Sequence, residues 1–339
     1  MKKIISLILV LCLALAIAPS VFALSEEEEL YGPRTVEWPD DVVNFYYPSG
    51  AGGGIDTSLR LMGEYLQKKY DITFTHTCSN DGGGAVVFET IRNEAPDGYT
   101  MMGMHLLPFV KYYTGLYNQF PLDAWDVVGV FSVENPYVAI VRSDFPADTP
   151  EELAAYIVEH PGEVTCGVEF GGTAQMMAAT FANDCGGEFK MVEAGNTSEK
   201  VAALEGGHID ITFAGAYSCL QYIEAGSIKQ VGVITGDGKR STMFPDWETF
   251  VEAGFENTKW SVDTIIYGPH GMDEDLKTTI MSYLNEACMS EEVQEGVNKI
   301  NQPMVMSPYK TPTEATEAVR ANAAKVKEAV ESVGLLKNE

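Results

Sequence analysis

Along the chain, short apolar runs alternate with longer stretches of helical spacing, and glycine-rich turns separate the two. Residues 42–47 read as a strand and PSGAGGGID as the loop behind it. Ile55, Leu59, Met62 and Leu66 then step by four, three and four along one face of a helix ending near Lys69. Residues 72–75 predict the next strand, NDGGG the next loop, and Val87, Phe88 and Ile91 mark the next helix. A third strand, 99–104, follows the turn signal PDG. Strands separated by helices predict parallel pairing with right-handed crossovers.

The pattern changes at Asp126, where DVVGVFSVENPYVAIV gives two strands close together before a helix starts at an Asp148/Thr149 cap. A second set of units follows: strand 164–168, loop FGGT, helix 174–183; strand 189–192, loop AGN, helix 198–204; strand 209–213, loop AGAY, and a helix to Ala225. Asn196 with Glu199 forms a capping box, and Gly206-Gly207 supplies a helix stop. Residues 228–235 form one more strand. The chain then returns through DTIIYGP to a largely helical end, 273–333. Two crossings, near 131 and 232, describe two lobes with a cleft between them. One lobe is expected from 24–131 plus 233–339 and the other from 132–232, each an α/β unit with a mostly parallel sheet flanked by helices.

The length of 339 residues agrees with more than one packed unit, and a 45% hydrophobic content supplies a large core. Against 22 basic side chains stand 49 acidic ones. The resulting field repels phosphate backbones and anionic lipid surfaces, so nucleic acid is excluded as a natural partner. The opening MKKIISLILVLCLALAIAPSVFA has two lysines, an apolar run, and small residues at Val21 and Ala23, which reads as a secretory signal cleaved after Ala23. Its removal takes two lysines and no acid, moving the formal charge from -27 to -29. No later stretch reaches the roughly 20 apolar residues of a membrane span, so an exported, soluble, periplasmic protein is expected.

Five cysteines remain at 78, 166, 185, 219 and 288. Their odd number precludes complete pairing, and Cys166 with Cys185 is the candidate bridge if one forms. The histidines, 76, 105, 160, 208 and 270, have no pair at metal-ligand spacing, so no metal site is indicated.

Several units place glycines directly between a strand and a helix. The first helical N–H groups there lack internal partners and the helix dipole presents partial positive charge, so such a junction holds an anion without lysine or arginine. Carboxylate is the natural guess, and two lobes aiming such loops at one cleft suit a ligand with one or more acid groups. Tight turns alone are the competing explanation for any single loop. The loop SGAGGGID fails the G-x-G-x-x-G fingerprint in both frames, at Ile55 and at Thr57, and no P-loop Lys-Ser/Thr follows it. No cofactor is therefore expected. Ser49 and Ser58 lie outside any G-x-S-x-G, and no histidine spacing identifies a base, so the chain does not read as an enzyme.

At YYPSGAGGGIDTSLRLMGEYL, CSNDGGGAVVFETIRNEAPDGYTMMGM and VAALEGGHIDITFAGAYSCLQYIEAGSIKQVGVIT, the chain resembles the solute-receptor family of tripartite tricarboxylate transporters. The likeness covers nearly the whole mature chain in order, and NDGGGA followed by APDGYT is its most specific part. The resemblance implies a two-lobe periplasmic binding protein fold of type II, with a ligand cleft between the lobes. It implies capture of a small di- or tricarboxylate and delivery to a membrane carrier of one large and one small subunit, by a receptor expected to be monomeric. A sensor feeding a signalling protein, and an exported enzyme on the same scaffold, are the alternatives.

Carried over by position, the first acid pocket uses Ser49, Gly50, Ala51, Gly52 and Gly53, with Tyr47 as a wall and Asp56 as a helix cap that braces the loop. Asn80, Gly82 and Gly83 belong to the second loop. The other lobe supplies Gly171, Gly172 and Thr173, and Ala194, Gly195 and Asn196. At ITFAGAYS the chain departs from many relatives, with Ala214 and Gly215 where an Asp or Asn is usual. His105, just after a strand, faces the cleft or caps that strand. Should a cation stand in the cleft, Arg60 and Arg92 are the candidates.

Overall fold

The computed structural model describes residues 25–133, 136–260, 262–300 and 303–339. The expected signal peptide and its cleavage site lie outside these residues.

The chain begins with a short helix, α1 (Glu26–Tyr31), closed by a capping box between Ser25 and Glu28. The first lobe then builds β1 (Val43–Tyr47), α2 (Gly54–Tyr70), β2 (Phe74–Cys78), a tight turn at Asp81–Gly84, α3 (Ala85–Asn93), β3 (Thr100–Met104), α4 (Leu107–Tyr113), α5 (Pro121–Ala124) and β4 (Trp125–Val133). The second lobe holds β5 (Tyr137–Arg142), α6 (Pro150–Glu159), β6 (Thr165–Val168), α7 (Thr173–Cys185), β7 (Lys190–Glu193), α8 (Thr197–Glu205), β8 (Ile211–Gly215), α9 (Ala216–Glu224) and β9 (Ile228–Ile234). The chain returns through β10 (Thr264–Pro269), α10 (Glu274–Met289), α11 (Glu291–Lys299), β11 (Met304–Val305) and α12 (Pro312–Ser332).

One sheet has the order β11-β4-β10-β3-β1-β2 and the other β7-β6-β8-β5-β9. The strands joined through helices within a lobe, β1 with β2 and β3 and β6 with β7 and β8, pair in parallel as expected. The strands on which the chain crosses between lobes run the other way: β10 is antiparallel to β3 and β4, and β5 to β8 and β9. A strand arriving from the other lobe needs no helical crossover, so each sheet is mixed. Residue 233, where the first lobe was expected to resume, falls inside β9, and Phe250 and Phe255 beyond it still pack on the core of the second sheet.

Period-two alternation decides which side chains go where. In β10, Ile265 and Tyr267 join the core under α3 and α12, while Ile266 joins the opposite one under α2 and α10. Leu59, Met62 and Leu66 are at most 1% exposed. Burial of about 1.5–3 kcal/mol for each fixes α2, and with it the loop at its start. The lobes touch as well. Met176 of α7 lies in a core cluster of the first lobe, and Trp260 packs against cores of both.

The proposed bridge between Cys166 and Cys185 is absent: all five described cysteines are free thiols. Cys166 is buried among the apolar side chains of β6 and its neighbours, whereas the Cys185 thiol, at the end of α7, donates to the Ala182 carbonyl.

Candidate functional site

The loop between β1 and α2 is solvent-exposed from Gly50 to Gly53. Gly53, not Asp56, occupies the cap position of α2. Asp56 is the third helical residue, and from there its carboxylate, 2% exposed, accepts from the Gly52 N–H at 2.9 Å and from the Arg60 guanidinium at 2.7 Å. The expected brace is thus present, reached from inside the helix. The amides of Ser49, Gly50, Ala51 and Gly53 meet no acceptor among the described residues, so they remain available at the positive end of a 17-residue helix.

Tyr47 lies behind this loop rather than on its open side. It is fully buried, and its hydroxyl and His76 Nδ1 share a hydrogen bond of 2.6 Å. Burial, and secondarily Arg60, lowers the His76 imidazole to about 4, so the ring is neutral. The pair supports the loop from below.

The second loop lies alongside. Ser79 N–H donates to the Tyr47 carbonyl, and the Cβ direction of Gly84 meets Pro48. Gly82, Gly83 and Gly84 all have positive φ, +60°, +66° and +94°, a succession that only glycines adopt readily. A side chain at Gly83 would begin 3.2 Å from the ammonium of Lys111 on α4. That lysine was not singled out in the sequence. Burial pushes its pKa down, opposed by Glu169 and Glu193 of the second lobe. The cations named from sequence are engaged elsewhere, Arg60 with Asp56 and Arg92 with Glu89. His105 is half-buried after β3. Its Nδ1 accepts from the Leu107 N–H, and burial lowers it to about 4, which leaves a neutral ring with the other nitrogen protonated.

In the second lobe internal acceptors occupy six of the loop amides that the sequence leaves open. Phe170 and Gly195 N–H groups donate to Glu193, Gly171 to Gln175, and Asn196 to Glu199. Gly172 and Ala194 donate to the carbonyls of Glu169 and Val168. The capping box of Asn196 and Glu199 forms as predicted, and by forming consumes the donors that a ligand would need. Thr173 Oγ1, on a residue 4% exposed, has no partner among the described residues.

The two sides meet around α4. A Cβ on Gly171 would lie 2.0 Å from Leu116 Cδ1 and 3.5 Å from Thr114 Oγ1. The arrangement therefore joins a lobe with free oriented amides and an ammonium to a lobe whose exposed chemistry is acidic. Residues 60–335 match the tripartite tricarboxylate transporter family receptor. The chain belongs to that family. A UPF0065 protein of Bordetella pertussis is 26% identical to this receptor over 256 residues, 74% of this chain and 77% of the relative. Among solved structures, R. palustris Rpa4515 with adipate superposes with a TM-score of 0.77 at 20% identity, covering 88% of this chain and 99% of that one. MatC from Rhodopseudomonas palustris with bound malate gives 0.73 at 18%, covering 86% and 100%. The receptor's fold is that of periplasmic binding proteins.

No group of three or more histidine, cysteine or acidic side chains in the described residues is arranged to hold a metal ion.

Proposed function

We propose that this receptor is exported, works as a monomer, captures a small di- or tricarboxylate between its lobes, and delivers it to a membrane carrier of one large and one small subunit. The observation that carries the reading is the loop at 49–53, with four open amides at a helix N-terminus held by a buried carboxylate, next to a second loop whose Gly83 lies against the Lys111 ammonium. Oriented N–H groups and a partly desolvated cation favour a carboxylate oxygen over a neutral group. In this reading Ser49 to Gly53 receive one acid group, while Asn80, Gly82 and Gly83 stand beside it with Lys111. The solved relatives with adipate and malate support the carboxylate class.

Thermal-shift titration with mono-, di- and tricarboxylates tests it. A ligand at 100 times its Kd stabilises by about 2.7 kcal/mol, so a true ligand raises the melting temperature in a saturable way. Melting temperatures indifferent to every carboxylate at millimolar concentration would reject the reading.

A further inference from the structure

The sheet of the first lobe lines up polar residues along the edge from which the 49–53 loop departs. On β3, Met101 joins the core under α2, and a Cβ on Gly103 would meet Leu59, Ile55 and Tyr47. Alternation carried two residues on puts His105 on that same face, just past Ile55 in the first turn of α2, where the loop lies. The ladders agree. Tyr46 of β1 is level with Met102, so Ser49 falls level with His105, about 4.8 Å away from strand to strand. On the other side Ile265 of β10 pairs with Met104, which puts Thr264 opposite His105. Thr264 is fully buried, and its hydroxyl has no partner among the described residues.

The ring of His105 is held by one nitrogen and open at the other. Nδ1 accepts from the Leu107 N–H at 3.2 Å, at the start of α4. Burial keeps the ring neutral, so its proton sits on Nε2, and that N–H meets no acceptor among the described residues. A half-buried donor next to a buried hydroxyl, both without partners, calls for an acceptor from outside the chain.

We infer that His105 is a ligand-binding residue of this receptor, whose Nε2–H donates to the acid group held by the 49–53 amides, with the Thr264 hydroxyl next along the same row. The inference rests on the carboxylate reading above and adds a contact to it. Loop amides meet the acid group from one side and the ring from the strand side. A carboxylate accepts at both oxygens, whereas a carboxamide would turn an N–H₂ toward these donors, so His105 also sharpens the choice of acid over amide.

Two variants separate this contact from the one to Leu107. His105→Asn keeps an acceptor near the position of Nδ1 and removes the outer donor, whereas His105→Gln carries an N–H donor out toward the position of Nε2. Isothermal titration of the full mature chain uses succinate, adipate, malate and citrate as probes. For the tightest of them, His105→Asn should weaken binding about tenfold or more, the size of one hydrogen bond to a charged group, with the unliganded protein melting at the parent's temperature. His105→Gln should bind within about threefold of the parent. Nitrogen NMR of the labelled parent supplies a readout that needs no variant: the proton on His105 Nε2 should shift downfield when the probe saturates the protein. An unmoved ring proton at saturation, His105→Asn binding within about threefold of the parent, or His105→Gln binding no tighter than His105→Asn would each overturn the inference and leave the carboxylate reading standing. Binding of none of these probes, nor of any other carboxylate, would overturn both.

Discussion

Replacing Lys111 with methionine keeps the aliphatic stem and removes only the charge. The ammonium is half-buried beside Gly83 and makes no ion pair within 4.0 Å among the described residues, so the described fold loses no partner when it goes. Removing a half-buried cation without a close partner relieves a desolvation cost, and the unliganded protein should melt at the parent's temperature or slightly above. Binding should respond in the opposite sense. A hydrogen bond between a carboxylate and an ammonium contributes about 1.5–3 kcal/mol, roughly 10- to 150-fold in affinity. The upper part of that range applies, because without Lys111 the charges of Glu169 and Glu193 face the ligand unopposed. The pH dependence carries a second signature. Burial lowers the folded-state pKa of Lys111 below its ordinary 10.5, so the ammonium is lost earlier on alkaline titration. Affinity should then fall as pH rises toward that ordinary value, whereas the unliganded protein gains stability across the same window because the unfolded chain there binds more protons. Isothermal titration of the best carboxylate from the screen, from neutral to alkaline pH, reads both effects. If the Lys111→Met variant bound within about threefold of the parent, or if both proteins showed an identical alkaline limb, the assignment of Lys111 to the pocket would be refuted.

Three further outcomes follow from particular contacts. Gly52 has φ +80° with nothing within 4 Å of a built Cβ, and Gly186 at the end of α7 has φ +70° and equally open surroundings. Valine at either costs about 1–2 kcal/mol of backbone strain, but only Gly52→Val should weaken ligand binding, by about tenfold or more. Equal binding by the two variants in isothermal titration would remove the loop from the site. Glu286 is 3% exposed. Burial works against its ionisation, but hydrogen bonds from Lys69, Arg34, Tyr70 and Tyr65 outweigh this and hold it at about 2. Its contribution, on the order of 3 kcal/mol, is therefore nearly complete above about pH 4.5 and lost as pH falls toward 2. Urea melts of Glu286→Gln against the parent should differ fully at about pH 6 and converge near pH 2, and a gap that persists in acid would disprove the assignment. Association of an anionic ligand with a chain of formal charge -27 should speed up, or hold steady, as inert salt screens the long-range repulsion. A steep fall in stopped-flow rate with salt would mean that the Lys111 field outruns the surrounding carboxylates.

Much of the architecture is legible in the sequence because local signals there are strong. The 55, 59, 62, 66 stripe and the Asn196–Glu199 box each leave one local solution, and both form. The strand direction of β5 and β10 is not a local property. It depends on where the chain arrives from the other lobe, and no periodicity in VAIV or TIIY encodes that. At the site, glycine after a strand correctly marks each loop but not the state of its amides. Whether an N–H is free depends on an acceptor such as Glu193, 23 residues beyond Phe170, swinging back to it. Lys111 was overlooked for a related reason. It sits in an apolar helix with no motif around it, and only the packing of α4 against the glycine turn brings its ammonium there. A search for basic residues within helices that follow a cleft-edge strand would have found it.

The central claim is that the first lobe's 49–53 loop holds the ligand's acid group. A crystal structure of the mature chain with the tightest carboxylate from the thermal-shift screen tests it most directly. The account predicts carboxylate oxygens about 2.7–3.1 Å from amide nitrogens in the 49–53 segment, with the Lys111 ammonium in contact and the amides of Phe170, Gly171 and Gly195 still on their internal acceptors. A carboxylate seated instead on the 170–173 and 194–196 amides, with Glu193 displaced and the 49–53 loop touching only solvent, would contradict it.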